Sequence, residues 1–282
     1  MSFITRRSFH AIALLCITSL AACTTSSVLE IPAPQADPQK YAAIIVDAKD
    51  GTVLYAKAAD EPRYPASLTK MMTLYLLFEA IDQGRLSRMS QIPVSANAAT
   101  KPASKLYLKP GETIGVDTAI RALAVKSAND VATAVAEQLA GSEEAFAYQM
   151  TAKARALGMR STVFTNASGL PDPQMRTTAR DMALLSLALR RNFPHYYSYF
   201  SLRSFDYNGK TIRGHNKVLE MVAGADGIKT GYVRASGYNL AASVQRSGKS
   251  LVGVVMGGDS GGARDAHMTQ LLTASFNRAR RR

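Results

Sequence analysis

The 282-residue chain has no tryptophan and only two cysteines, Cys16 and Cys23, both within its first 23 positions. Everything after Cys23 therefore lacks a thiol, which excludes disulfide staples, thiol chemistry and cysteine-based metal sites from the body of the protein. The four histidines (His10, His195, His215, His267) fit no Ser-His-Asp pattern. No repeat of fixed period is present. The formal charge is +13, yet zinc-finger spacing, aromatic RNA-binding motifs and basic helices are all missing. The basic residues are scattered except in the tail Arg278, Arg280, Arg281 and Arg282. That pattern argues against nucleic acid and for contact with an anionic envelope surface or polymer.

With 47% apolar and 20% charged residues, the remainder reads as a soluble globular protein, large enough for one sizeable domain or two small ones. Positions 1–22 stand apart. Arg6 and Arg7 precede an apolar run, Ala11 to Ala22, too short to span a bilayer and typical of a secretory signal. Leu20-Ala21-Ala22-Cys23 resembles the bacterial lipobox, in which the cysteine is lipidated and becomes the first mature residue. Thr5-Arg6-Arg7-Ser8-Phe9 also resembles a twin-arginine export motif, so both export routes stay open. Acyl chains on Cys23 would tether the protein to a membrane. Residues 23–40 carry Pro32, Pro34 and Pro38 and read as a flexible tether.

From Tyr41 onward a β-rich stretch, an Asp50-Gly51 turn and a return over Thr52 to Lys57 predict a hairpin. Ser87 to Gly115 reads as loop with a short strand near Ile92. Val116 to Leu157 is helical, with Asp117 a candidate cap, and Thr178 to Asp181 matches a capping box ahead of Met182 to Arg191. Asn208-Gly209 marks a second hairpin. Strands are predicted over Gly227 to Val233, Tyr238 to Gln245 and Leu251 to Gly257, and a closing helix over Ala263 to Arg278. This order predicts a mixed α/β fold: an antiparallel sheet built from both chain ends, flanked by helices, with a helical block inserted between.

Three stretches carry chemistry. Ser67-Leu68-Thr69-Lys70 heads the most apolar helical run, between Pro65 and Gly84. Residues three apart share a helix face, so the Ser67 hydroxyl and the Lys70 amine can meet. Apolar neighbours would desolvate Lys70 and favour its neutral, proton-accepting form. On four residues alone, a capping serine beside a snorkelling lysine is the default reading. Ser127-Ala128-Asn129 lies between helices, either as local caps or as a proton relay (Ser127) with an amide (Asn129) that holds Lys70 or a substrate amide. Lys229-Thr230-Gly231 sits on a strand, where the glycine suggests close approach by another backbone or a ligand. Lys229 and Thr230 would offer charge and a hydroxyl to a substrate carboxylate.

In this order and rough spacing, the three stretches resemble the penicillin-recognising serine enzymes. Asn166-Ala167-Ser168-Gly169-Leu170-Pro171, and the run from Asp226 through Tyr232 to Gly237-Tyr238-Asn239-Leu240, resemble the low-molecular-mass D-alanyl-D-alanine carboxypeptidases of bacterial cell walls. The resemblance spans about Tyr41 to Phe276. It implies a transpeptidase-like fold, Ser67 as acyl-ester nucleophile, Lys70 as general base, Ser127 as proton donor to the leaving amine and Asn129 as a site organiser. It further implies that Lys229, Thr230 and Gly231 receive the terminal carboxylate. The backbone N–H groups of Ser67 and Tyr232 would form the oxyanion hole. No metal or organic cofactor is implied. The substrates would be peptidoglycan stem peptides, with β-lactams as covalent inhibitors, in a lipid-anchored periplasmic enzyme. Alternatives are a D,D-endopeptidase acting on D-alanyl cross-links, a class A-type β-lactamase for which no clear deacylating glutamate is found, and a non-catalytic wall-binding lipoprotein.

The sequence departs from the family pattern in places. Residues 41–282 read as a single peptidase domain without the β-rich second domain and amphipathic anchor of many relatives, a role that lipidation at Cys23 could fill. Tyr232 stands where some relatives have histidine, and His215 where some have a carboxylate-binding arginine. Arg213 and Arg234 are the candidate substitutes.

Overall fold

A computed structural model describes residues 37–279. The expected signal and export motifs, the lipidation site at Cys23, most of the tether and the tail Arg280 to Arg282 lie outside the described residues. The side chain of Arg278 is also outside them.

In chain order the first elements are β1 (Ala42–Asp47), β2 (Val53–Lys57) and α1 (Lys70–Asp82), the last entered through a single 3-10 turn over Ala66–Thr69. Next come β3 (Gln91–Pro93), α2 (Ala96–Thr100), β4 (Thr113–Gly115) and α3 (Val116–Arg121). A π-helical turn at Ala122–Lys126 leads into α4 (Asn129–Ala140), followed by α5 (Glu143–Ala156) and α6 (Ala179–Asn192). The last third holds β5 (Ser204–Tyr207), β6 (Lys210–Arg213), α7 (Val218–Met221), β7 (Ala225–Val233), β8 (Gly237–Arg246), β9 (Lys249–Gly258) and α8 (Gly261–Ala279).

The main sheet has the order β2-β1-β9-β8-β7, and every pairing in it is antiparallel. The N-terminal hairpin thus docks beside the last strand, as the pattern at the two chain ends predicts. Alternation sorts the strands' side chains. Leu240, Ala242, Val244, Leu251 and Val255 pack with Met268, Leu271, Leu272 and Phe276 of α8. Ala241, Val252, Val254 and Met256 join the larger core shared with the helical block. A period of two along each strand produces this two-sided burial. α1 is buried on nearly every side, as expected of a helix without a polar face.

Three local expectations change. The Ser87 to Gly115 stretch holds the β3–β4 pair and α2, which Ser95 caps through its side chain, accepting from the Ala98 N–H at 2.9 Å. Asp117 is not the cap of α3. Gly115 occupies that position, and the Asp117 carboxylate accepts from Arg121 Nε at 2.6 Å and from Tyr199 Oη. The Thr178 box closes from one side only: Thr178 Oγ1 accepts from Asp181 N–H at 3.0 Å, but the Asp181 carboxylate turns to Thr162 Oγ1 at 2.7 Å.

Candidate active site

Ser67 lies in the 3-10 turn and Lys70 is the first residue of α1, so they stand three apart on one helical face as the spacing predicts. Lys70 Nζ is 3.2 Å from Ser67 Oγ, and donates to Asn129 Oδ1 and to the Ser168 carbonyl, both at 2.7 Å. The side chain is fully buried. Burial holds its pKa well below the usual lysine range, with Lys229 lowering it further and Glu143 and Asp130 pulling it back; an ammonium without water is costly. A neutral amine has two N–H bonds and one lone pair. Asn129 Oδ1 and Ser168 O can only accept, so they take the two N–H bonds and leave the lone pair facing the Ser67 hydroxyl. Asn129 cannot be turned round, because its Nδ2 donates to Pro102 O at 2.9 Å.

The Ser168 carbonyl is itself held firmly. Asn166 Oδ1 accepts from the N–H groups of Ser168 at 3.2 Å, Gly169 at 2.8 Å and Leu170 at 3.2 Å. Thr73, one turn along α1, donates to Ala167 O at 2.7 Å. Glu143 Oε1 accepts from Ala167 N–H at 3.2 Å and Thr133 Oγ1 at 3.1 Å, while its Oε2 pairs with Lys101 Nζ at 2.7 Å. Gly169 has φ +81°, and a Cβ there would stand 1.9 Å from Ala66 O. Only glycine lets this loop press against the turn that carries Ser67.

On the opposite wall, β7 runs beside the same turn. A Cβ on Gly231 would lie 3.1 Å from Ser67 N, which gives the glycine of the Lys-Thr-Gly stretch its physical reason. Asn239 of β8 fastens the turn to the sheet, donating to Tyr64 O at 3.0 Å and accepting from Gly257 N–H at 3.0 Å. Ser127 follows the π-helical turn with φ 63°, a left-handed conformation costly for serine. Its Oγ is buried and has no hydrogen-bond partner among the described residues.

Between these walls opens a cavity of about 680 Å³, whose lining includes Ser67, Ser127, Asn129, Thr230, Gly231 and Tyr232. The expected side chains converge there with two exceptions. Lys70 lies beneath Ser67, in contact with it. Lys229 lies behind the wall: it is 2% exposed and lines a smaller cavity with His215 and Asn216. Its Nζ donates to Thr230 O at 2.8 Å, and burial, with Arg264 adding, pushes its pKa down to about 7. Neither Arg213 nor Arg234 lines the main cavity; Arg264 does. Residue spacing gave no hint of Arg264, because it comes from the first turn of α8, beyond all three motifs. Its guanidinium donates to Asp265 Oδ1 at 2.9 and 2.7 Å and to Asn239 O at 3.3 Å. His215 also lines the cavity, and its pKa is lowered by burial and then by Lys229, Lys126, Arg264 and Lys217. Lys217 and Arg264 line that end with Lys229 behind it, against the single carboxylate of Asp265 that pairs with Arg264, so the end is net electropositive and suited to an anion.

A fixed serine–lysine pair under an antiparallel sheet, with an anion-accepting end to the cleft, defines a class: the serine peptidases of the penicillin-binding, transpeptidase-like fold. Comparison with known proteins agrees. Residues 30–260 match the family profile of the S11 peptidases, D-alanyl-D-alanine carboxypeptidases. D-alanyl-D-alanine carboxypeptidase DacA of Escherichia coli (strain K12) is 37% identical over 250 residues, covering 86% of this chain and 62% of that protein. Penicillin-binding protein 5 from Haemophilus influenzae superposes with a TM-score of 0.82 at 31% identity, over 88% of this chain and 73% of that one. Penicillin-binding protein D2 from Listeria monocytogenes, solved in an ampicillin-bound form, superposes with a TM-score of 0.78 at 29% identity, over 84% of this chain and 98% of that one. The chain belongs to the S11 D-alanyl-D-alanine carboxypeptidase family. It spans less than two thirds of the length of the curated Escherichia coli and Bacillus subtilis relatives it matches.

Proposed function

We propose that this chain is a serine D-alanyl-D-alanine carboxypeptidase that removes the terminal D-alanine from peptidoglycan stem peptides and is acylated by β-lactams. The observation that carries the reading is the contact set of Lys70 Nζ, whose two obligate acceptors leave a neutral amine's lone pair for Ser67. Ser67 Oγ attacks the carbonyl carbon of the penultimate residue and its proton passes to Lys70. The oxyanion is received by the N–H groups of Ser67 and Tyr232. The C–N bond then breaks as the Ser127 hydroxyl gives its proton to the departing amine and regains one from protonated Lys70, and water hydrolyses the acyl ester. Asn129 orients Lys70. The terminal carboxylate is received by the Thr230 hydroxyl in the field of Lys229 and Arg264, with Gly231 keeping the strand close. The orphaned Ser127 hydroxyl supports this, since a buried hydroxyl without a partner is uncommon unless a substrate or proton path uses it.

A fluorescent penicillin should label the wild-type protein covalently, and Ser67→Ala should lose all labelling. A folded wild-type protein that stays unlabelled rejects the reading. Lys217 and Met221 also line the cavity, room beyond a single D-alanine that favours a second reading, D,D-endopeptidase cleavage of cross-links. Digests of purified monomeric and cross-linked muropeptides separate the two by the product that accumulates.

The reading extends to location: a periplasmic lipoprotein held to the membrane through Cys23, with the catalytic unit starting near residue 41. Mass spectrometry of the mature N-terminal peptide tests it, and an unacylated N-terminus at Cys23 or elsewhere counts against it.

A further inference from the structure

A second cavity of about 380 Å³ lies across the tip of the β7–β8 hairpin from the first. No lining residue is common to both, but two segments contribute to each. Leu170 and Val233 line the main cavity, and Pro173, Met175, Arg176, Ala235 and Ser236, further along the same loop and the same hairpin, line the second. Met175 packs against the turn that carries Ser67, its Sδ receiving the Thr69 hydroxyl at 3.7 Å.

The lining of the second cavity is basic. Lys40, Arg63 and Arg176 all contribute, with Tyr64 as the aromatic side. Arg63 is fixed by donating to backbone carbonyls only: Nε to Lys40 O at 3.0 Å, Nη1 to Pro62 O at 2.8 Å and Nη2 to Tyr41 O at 3.0 Å. Arg176 donates to Gln174 O at 3.4 Å. Among the described residues, Lys40 alone of the three faces a carboxylate, Asp37 at 3.7 Å. A guanidinium oriented by carbonyls, with its charge not neutralised by the described residues, is preorganised for an incoming carboxylate.

The polarity of the bound chain links this cavity to the first, and here the argument rests on the function proposed above. The terminal carboxylate lies at the Thr230–Arg264 end and the reacting carbonyl between Ser67 and Tyr232. The acyl side of the substrate must then leave past Val233, toward the hairpin tip and the second cavity. We propose that this cavity is an anionic subsite for the acyl arm of the substrate, taking a free carboxylate upstream of the cleaved bond. It would select peptides that keep this acid over those in which it is amidated.

The test uses the full chain and three synthetic acyl-D-Ala-D-Ala substrates, whose acyl arm ends in a free carboxylate, ends in the matching primary amide, or is cut short. Wild-type protein should favour the acid over the amide by about fivefold in kcat/KM at low salt, the size expected of a partly exposed charge pair. Added salt should shrink the preference. In Arg176→Gln the ratio should fall toward one, and in Lys40→Gln by less, since that lysine already has Asp37. A ratio measured within one protein does not depend on how much of the sample is active, so a partial folding defect cannot imitate the result. Equal rates for acid and amide in wild type, or a preference undiminished in Arg176→Gln, overturns the subsite. Penicillin labelling of the same samples separates the two failures. Labelled protein that does not discriminate sinks the subsite alone, and unlabelled folded protein sinks the proposed function with it.

Discussion

The α1 wall of the cleft and the β7 wall each bury a lysine, and they hold it in opposite ways. Lys70 has two carbonyl-type acceptors and a hydroxyl around its Nζ, each acceptor pinned by further hydrogen bonds. Lys229 has a single hydrogen bond among the described residues, to the carbonyl of the next residue on its own strand. Both amines have lowered pKa values, and burial is the first cause in each. Desolvation therefore sets the proton affinity on both walls, whereas hydrogen bonding sets position on one only. A general base must aim a lone pair within tenths of an ångström. A charge that attracts a carboxylate acts over distance and tolerates looser placement.

The harshest way to break the comparison is to remove the aimed amine. Lys70→Met keeps the volume and deletes the base, so penicillin acylation should slow by about a thousandfold, within the range for loss of general-base catalysis. Stopped-flow acylation measures it. A rate within tenfold of wild type would mean that another group takes the Ser67 proton.

Next in size is the loop that pins Lys70. Gly169→Ala places a Cβ 1.9 Å from Ala66 O at φ +81°. The chain must either unfold locally or draw the Ser168 carbonyl away from Lys70. A loss of at least about 2 kcal/mol in denaturant unfolding is expected, together with slower acylation. The same substitution at Gly51, which has φ +79° and nothing within 4 Å, should cost only about 1 kcal/mol.

The β7 wall should respond in the other direction. Lys229 falls from 10.5 to about 7 on burial. Between those values only the unfolded chain carries the proton, so stability rises with pH across that window. Below about 7 both states are protonated and the destabilisation is fully present. Lys229→Met removes this cost. At pH 7 it should stabilise by about 1–2 kcal/mol, or roughly 2–4 °C in Tm per kcal/mol, and flatten the pH dependence between 7 and 10. Its KM for D-Ala-D-Ala peptides should rise as the carboxylate loses that field. Thermal melts at both pH values check the first claim; a destabilised variant would show that Lys229 is better satisfied than its single hydrogen bond indicates.

How far these walls could be read beforehand follows from where their information lies. Ser67 and Lys70 are three apart, and Lys229, Thr230 and Gly231 are contiguous, so local spacing reveals them. The sheet was legible because Leu240 to Val244 and Leu251 to Met256 are nearly unbroken apolar runs, the pattern of strands buried on both faces. Glu143 and Arg264 were not legible: each reaches the site from a helix outside the motifs, and in sequence they are an unremarked first-turn acid and an arginine after a glycine pair. Ser95 and α2 were hidden by the loop-forming prolines around them. The inward turn of Lys229 was hidden too, because strand alternation fixes a face and not what the end of a long side chain finds there.

Glu143 gives the smallest and most discriminating change. Lys229 faces Lys70 from β7, Asp130 from α4 and Glu143 from α5; Lys229 lowers its pKa, and the two acids raise it. Asp130 is a poor probe because its carboxylate also holds the N–H groups of Leu106 at 3.0 Å and Leu108 at 3.2 Å. Glu143→Gln keeps an oxygen for Ala167 N–H and Thr133 Oγ1 and removes only the charge, while Lys101, partly exposed, can turn to water. The Ser168 carbonyl stays in place and Lys70 loses a group that favours its protonated form. The acid limb of the acylation rate should then move to lower pH, with the plateau rate close to wild type. If Glu143 served only to brace the loop, the plateau would fall at every pH and the limb would stay where it was. The two outcomes differ in which feature of one curve moves, so a single pH–rate profile decides whether α5 tunes the base or merely holds the wall around it.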